Sequence, residues 1–313
     1  MIPAKDFPRK YVIGGGLAGL IFMHYNSDYI LIEGREDKEI SVPLPQYIYD
    51  DESTRELLTE LGINFEKRTV HVGIYFVNGW VPPADEIRAL YYEKTRGETI
   101  EDFPPYTMSM GKTEFDILDV SIQDLREVLR NRIIGRIIHE DVVSIDFEQK
   151  YLWTTDYLSG ATPYEKVVST IPAPIFLKII GWMNELYWLK WKPIFVYSAQ
   201  AKPTSFIYQH TFDYVLFPGP EVPFYRMTKG QFFDIGIEST QEFDVKKWFP
   251  GLEPKSFVMP YGKIVGGCIQ EIAMKYIGPD TDEITFFGRY GAWLPQLKIQ
   301  DVIKAAKAWD IQK

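Results

Sequence analysis

Lys10-Tyr11-Val12-Ile13-Gly14-Gly15-Gly16-Leu17-Ala18-Gly19-Leu20, with Tyr29-Ile30-Leu31-Ile32-Glu33 just beyond it, is the stretch that decides the fold. Residues 10–13 read as a short apolar strand, Leu17 to Tyr25 as a helix, and Tyr29 to Ile32 as a second strand. Strand, glycine turn, helix and strand at this spacing form the unit that binds a dinucleotide. Gly14, Gly16 and Gly19 spell G-x-G-x-x-G. Gly14 permits the tight turn, Gly16 lets the backbone approach a pyrophosphate, and Gly19 lets helix and sheet pack closely. The helix N-terminus at Leu17 and Ala18 directs free N–H groups and the positive end of the dipole at phosphates. Glu33 stands 19 residues after Gly14. A carboxylate there accepts both ribose hydroxyls and repels a 2′-phosphate.

The whole chain of 313 residues suits one large α/β unit or two interwoven lobes. A net charge of −9 argues weakly against general nucleic-acid binding, which wants clustered Lys and Arg. Aromatic residues make up 15%, which suits enclosure of a flat ligand and a dense core equally. The single cysteine, Cys268, excludes an internal disulfide and a multi-thiolate metal site, so a reducing, cytoplasmic setting is expected. Lys5, Arg9 and Lys10 before the apolar run Tyr11 to Met23 imitate a signal peptide, but no small-residue cleavage site follows. No run reaches the ~18 uncharged apolar residues that span a bilayer, so a soluble chain without a membrane partner is expected.

Further along, Ser53 with Glu56 reads as a capping box, opening a helix that carries Leu57, Leu58 and Leu61 and stops at Gly62. Val70 to Trp80 alternates as a strand pair around the Asn78-Gly79 hairpin signal. Ser121 and Asp124 mark another helix start, before Leu125, Val128, Leu129 and Ile133. Asp141 to Ile145 and Tyr151 to Thr154 read as a hairpin, and Val167 to Pro172 as a strand entering a loop. Pro174 to Trp191 reads as helix, Ile194 to Ile237 mainly as strands, and Asp301 to Trp309 as the last helix.

Tyr11-Val12-Ile13-Gly14-Gly15-Gly16-Leu17-Ala18-Gly19-Leu20 resembles the opening of flavoenzymes in the amine oxidase, protoporphyrinogen oxidase and UDP-galactopyranose mutase superfamily. Val142-Val143-Ser144-Ile145 resembles the family strand whose backbone meets the adenine. Tyr164 to Pro172 is similar to the return strand that ends in Thr-Ile-Pro. Pro223-Phe224-Tyr225-Arg226 resembles a mutase strand that brings an arginine toward the flavin. Phe287-Gly288-Arg289-Tyr290-Gly291-Ala292-Trp293, then Ile299 to Ala306, is similar to the C-terminal segment that covers the flavin. These matches run in order across most of the chain.

The resemblance implies non-covalent FAD held by Gly14, Gly16, Leu17, Ala18, Gly19, Glu33, Val143, Gly288, Arg289 and Ile299, with Arg226 and Tyr225 at the reacting end. It implies an α/β fold: a Rossmann-like FAD-binding domain (1–40, 130–172 and 280–313) with an inserted β-rich, α+β substrate lobe (41–129 and 173–279). Tyr225, Tyr290 and Trp293 are candidates for an aromatic wall. Residues 34–40 lack the flavin-contacting glycines usual in the superfamily, and Pro295 stands where the mutases place an aromatic residue that touches phosphates.

The activity expected is flavin-dependent oxidation of a C–N bond in an amine or amino-acid-like small molecule, with an anionic or nucleotide-linked substrate left open. The alternatives are a mutase-like use of reduced FAD on a sugar nucleotide, action on an amine carried by a nucleotide or DNA base, and FAD binding without turnover. No metal is expected, because His24, His71, His139 and His210 show no paired ligand spacing. Gly111-Lys112-Thr113 lacks the upstream glycine of a P-loop, and Cys268 reads as structural rather than as a flavin attachment point. Lys263 is conceivable as a base, with nothing in the sequence to separate it from a solvated lysine.

Overall fold

The central strand of the first lobe, β1 (Lys10–Ile13), is apolar on both faces because it is covered on both. Tyr11 and Ile13 enter one hydrophobic cluster and Val12 the other, following the two-residue alternation of a strand. The protein is described here by a computed structural model covering residues 10–34, 47–77, 79–97, 113–155, 161–200, 211–230, 234–276 and 283–309.

The chain runs from β1 through α1 (Leu17–Tyr25), β2 (Ile30–Ile32), β3 (Ile48–Tyr49), α2 (Glu52–Leu61), β4 (Lys67–Phe76), β5 (Gly79–Trp80) and α3 (Asp85–Arg96). It continues through β6 (Glu114–Leu118), α4 (Ile122–Ile133), β7 (Ile137–Ile138), β8 (Val142–Asp146), β9 (Tyr151–Thr154), β10 (Thr162–Pro163), β11 (Lys166–Ser169) and α5 (Ala173–Ile179). Then come β12 (Lys190–Gln200), β13 (Tyr214–Leu216), β14 (Phe224–Lys229), β15 (Asp234–Ser239), α6 (Val245–Trp248) and β16 (Lys255–Gly266). The described chain closes with α7 (Ile269–Tyr276), β17 (Ile284–Phe286), α8 (Gly288–Gly291) and α9 (Ile299–Ala308).

Among the described residues the strands form three sheets. The first has the order β17-β11-β1-β2-β7 and is parallel throughout, with Tyr11 opposite Val167 and Val12 opposite Leu31. β8, β9 and β10 make a small antiparallel sheet. The third runs β16-β12-β15-β14-β13-β4-β6-β3, with β5 paired to β4, and forms the β-rich lobe. This is the expected α/β architecture: a Rossmann-like parallel sheet with a β-rich lobe inserted.

The packing divides the chain differently from the expected bounds. Leu57, Leu58 and Leu61 of α2 and Leu125 and Leu129 of α4, expected in the second lobe, share one hydrophobic cluster with Leu20 and Phe22 of α1. Phe176 and Leu177 of α5 and Ile269 and Ile272 of α7 pack on the opposite face of the parallel sheet. A parallel sheet needs helices on both faces, and those helices come from segments on either side of the β-rich insertion.

Local readings differ in smaller ways. The N-cap of α2 is Asp51, whose carboxylate accepts from the Ser53 N–H, so the expected Ser53 box is displaced by two residues. Gly62 ends α2 in the left-handed region, and Ser121 caps α4 by accepting from the Asp124 N–H. Pro174 to Trp191 is not one helix: α5 stops at Ile179, a 3₁₀ turn covers Met183–Trp188, and β12 has begun at Lys190. β16 and α3 were not foreseen. Pro260 inside β16 is tolerated because that strand lies at the sheet edge, paired with β12 alone.

Candidate functional site

At the first turn, Gly14 has φ +109°, which a side chain rarely adopts, and an added Cβ would lie 2.7 Å from Ile171 and Thr170. The Thr170 hydroxyl donates to the Gly14 and Ile13 carbonyls at 2.8 and 3.0 Å, fixing the turn against the end of β11. A Cβ on Gly19 would fall 2.1 Å from the Gly14 carbonyl oxygen, so this glycine permits the close approach of α1 to the turn. Gly16 is the N-cap of α1 and faces open space. No side chain caps this end and no acidic residue occupies the first turn. The N–H groups around Leu17 and Ala18 therefore present an open, positively polarised cradle suited to an anion such as a pyrophosphate.

Glu33, at the end of β2, is 7% exposed. Its Oε2 lies over Gly15, at the place a Cβ there would fill. Oε1 is ion-paired with Arg130 of α4 and lies 3.5 Å from Nδ1 of His139. Arg130 was not singled out in the sequence, and His139 was weighed there only as a metal ligand. Arg130 falls at the end of a periodic helix, where a basic residue is ordinary, and only the tertiary fold brings it to β2.

Val143 is 47% exposed and sits where the β8–β9 register shifts between Val142 and Ser144. A residue left out of a ladder keeps its backbone groups available, which suits contact with a base edge. The preceding turn is tied to β2, since the Asp141 carboxylate fills the space beside Gly34. Residues 35–40 and the Met110-Gly111-Lys112 stretch lie outside the described residues.

The C-terminal segment closes on the same place. Gly288 has φ +75° and lies against Ala18, with a Cβ there only 2.5 Å from the alanine methyl. Gly291 packs against the Ser169 carbonyl. Ile299 opens α9 and packs into the α1–α2 core, and α9 itself lies on α1 and α2. Arg289 points onward, with a buried Nε that has no hydrogen-bond partner.

A second constellation sits on β14, β15, β16 and α3. Arg226 donates to the Tyr214 hydroxyl at 2.9 Å and is ion-paired with Glu238. The Tyr225 hydroxyl donates to the other Glu238 oxygen at 2.5 Å. Burial pushes Glu238 toward the neutral form, but the Arg226 guanidinium and these hydrogen bonds overcome it and hold the carboxyl below its usual range. Tyr225 is wholly buried, which raises its phenol well above the ordinary value, and Glu238 adds to the shift.

Lys263 Nζ lies 4.8 Å from the Tyr225 ring centre and 5.9 Å from that of Tyr91. Burial, then the Arg226 charge, push Lys263 down to about 7; Glu238 opposes them, and Arg96 and Arg289 add to the lowering. The helix carrying Tyr91 and Arg96, α3, was legible in hindsight: Asp85 and Glu86 open it, Ile87, Tyr91 and Thr95 share a face, and Gly97 ends it.

The two constellations meet through the C-terminal segment. The Tyr290 hydroxyl donates to the Gly262 carbonyl at 3.2 Å, and Arg289 is one of the charges that act on Lys263. Of the expected aromatic wall, Trp293 is core: it is 0% exposed and its indole N–H donates to the Gly266 carbonyl at 2.9 Å. No helix among the described residues is long and apolar enough to cross a membrane.

No protein-family model and no curated protein sequence matches the chain. Solved structures do share its fold. Reduced UDP-galactopyranose mutase superposes with a TM-score of 0.76 at 12% identity, over 98% of this chain and 96% of that one. A fatty acid isomerase from P. acnes gives 0.64 at 12% identity, over 97% and 98%. A putrescine oxidase redesigned in its cofactor binding gives 0.61 at 8% identity, over 97% and 98%. The likeness spans both lobes and establishes the fold.

Proposed function

We propose that the chain binds FAD non-covalently and oxidises a C–N bond of an amine or amino-acid-like small molecule. The carrying observation is the open cradle at Gly14–Gly19 with the buried Glu33 beside it and the Gly288 segment closed over Ala18. In this reading the N–H groups from Gly16 to Ala18 hold the pyrophosphate and Glu33 holds the ribose. Val143 offers its backbone to the adenine, and Gly288, Arg289 and Ile299 border the flavin. The bound flavin would supply the acceptor for a hydride.

The protein's own residues set the conditions. A site that drives Lys263 down to about 7 by burial and neighbouring positive charge acts the same way on a substrate ammonium placed there. It favours the neutral amine, the form from which a hydride leaves. Arg226 is positioned by Glu238 and Tyr214, and Tyr225 walls the same face without a free hydroxyl.

The test is an absorption spectrum of the purified protein followed by anaerobic titration with a panel of amines and amino acids. A flavin band bleached by one of them supports the proposal. The absence of FAD uptake on reconstitution overturns it at its root.

A second reading, reduced flavin used on a sugar nucleotide without net oxidation, is favoured by the shared fold with the reduced mutase. Pro295, in place of the phosphate-touching aromatic residue, counts against it. A strict requirement for dithionite before any turnover would select this reading.

A further inference from the structure

Glu33 is fixed at its root and at its tip. Its N–H donates to the Ile138 carbonyl at 3.0 Å, and the Gly14 N–H donates to the Ile32 carbonyl at 2.9 Å, so the end of β2 is tied to β7 and to the glycine turn. The two carboxylate oxygens then meet different surroundings. Arg130 of α4 is ion-paired with Oε1, and Nδ1 of His139 lies 3.5 Å from the same oxygen. Oε2 occupies the space that a Cβ on Gly15 would fill. Gly15 lacks the positive φ of Gly14, so what excludes a side chain there is the carboxylate itself. The residue that receives Glu33 is thus the variable position of G-x-G-x-x-G, and not one of its three fixed glycines.

A glutamate side chain left to itself samples several rotamers, whereas hydrogen bonds to a ribose diol require one placement. The guanidinium behind Oε1 and the bare backbone beneath Oε2 select a placement before a ligand arrives, which removes an ordering cost from binding. The positive charge of Arg130 also offsets the repulsion between Glu33 and a pyrophosphate held in the adjoining cradle. We propose that Arg130 and Gly15, with His139 as a second support, are positioning residues that hold Glu33 so that Oε2 receives the ribose hydroxyls. They make the cradle select nucleotides whose ribose hydroxyls are intact, and they do so through Glu33 rather than by touching the nucleotide. The assignment deepens the FAD reading and rests on it for the occupant of the cradle; it does not depend on the amine chemistry.

The test is calorimetry on the full chain freed of flavin, with ADP and 2′,3′-dideoxy-ADP, two probes that differ only in the ribose hydroxyls. The parent protein should bind ADP more tightly by about tenfold or more. Arg130→Met should bring that ratio down to about threefold or less through weaker ADP binding, with Arg130→Lys intermediate because lysine keeps the charge but not the planar fork. Gly15→Ala should lower the ratio in the same way while leaving every charge in place, and it decides the matter if Arg130→Met does not fold. A purely structural loss would weaken both probes equally and leave the ratio standing. A ratio unchanged in Gly15→Ala and in the Arg130 variants that fold, or tighter ADP binding in Arg130→Met, would overturn the proposal. ADP bound by the parent with no preference for the ribose hydroxyls sinks this inference alone and leaves the FAD reading standing. A parent protein that binds neither ADP nor FAD sinks the FAD reading and this inference with it.

Discussion

Gly14 and Gly19 admit no side chain for different reasons, one conformational and one steric, and the difference is measurable. Gly14→Ala must adopt φ +109° as well as displace Ile171 and Thr170, whereas Gly19→Ala forces the backbone of the Gly14 turn outward and crowds the Thr170 hydroxyl. Each should destabilise the fold by ~1–3 kcal/mol in urea unfolding, with Gly14→Ala the larger, and each should lower FAD uptake. Lys263 carries a different signature. Its folded value, about 7, lies below the ordinary lysine value of 10.5. The unfolded chain therefore holds the extra proton between those two pH values, and stability rises with pH across the window. Lys263→Met should thus raise the melting temperature most below pH 7, and the gain should shrink as the pH climbs toward 10. A gain that is flat with pH would mean that Lys263 is not held in a desolvating site.

Between elements, the contact that decides the ribose end of the proposed site is the pair that joins β2 to α4. Glu33 is almost fully covered and Arg130 largely so. Removing one partner leaves a buried charge without its counterpart, so Arg130→Met should cost about 3 kcal/mol, and Glu33→Gln in the same chain should recover part of it. A double-mutant cycle in urea checks this directly. Glu33→Ala should weaken FAD, read by fluorescence titration, by about tenfold to a hundredfold through loss of charge-assisted hydrogen bonds. The α2 cap makes a related point about legibility. Ser53 and Glu56 signalled a helix start correctly to within a turn, but Asp51 does the capping and the Ser53 hydroxyl turns back to it. Cap chemistry is local, and several neighbouring polar residues can satisfy the same N–H group.

Across the molecule, the first and last helices are joined through Phe22, whose ring makes edge contacts with Tyr29, Phe287 and Trp309 at 5.0–5.1 Å. Phe22→Ala should cost ~3–5 kcal/mol and loosen the C-terminal segment from the glycine turn, lowering FAD uptake with it. Ligand linkage offers the matching test of the intact protein: FAD at a hundred times its dissociation constant should stabilise the fold by about 2.7 kcal/mol, seen as a rise in melting temperature. Gly73 and Gly262 show how far the β-rich lobe depends on such packing, since a Cβ at either would strike side chains from other strands or loops.

The residues from Lys10 to Glu33 determined the Rossmann-like half of the fold by themselves, because a turn, a helix start and a strand end are set by neighbours in the chain. Glycines at fixed offsets and an acid at the strand end need no partner from far away to be read. The Gly288-Arg289 segment was expected at this turn through the family resemblance, and Gly288 packs there on Ala18. Of the second half, Tyr225, Arg226 and Arg289 were expected through the family resemblance, but what surrounds them was not legible. Tyr91, Arg96, Tyr225, Arg226, Glu238, Lys263 and Arg289 are brought together by strand order and by a helix laid across the sheet. Nothing local distinguishes Lys263 from a surface lysine. Its chemistry arises from burial and from charges distant in sequence, and those exist only once the chain has folded.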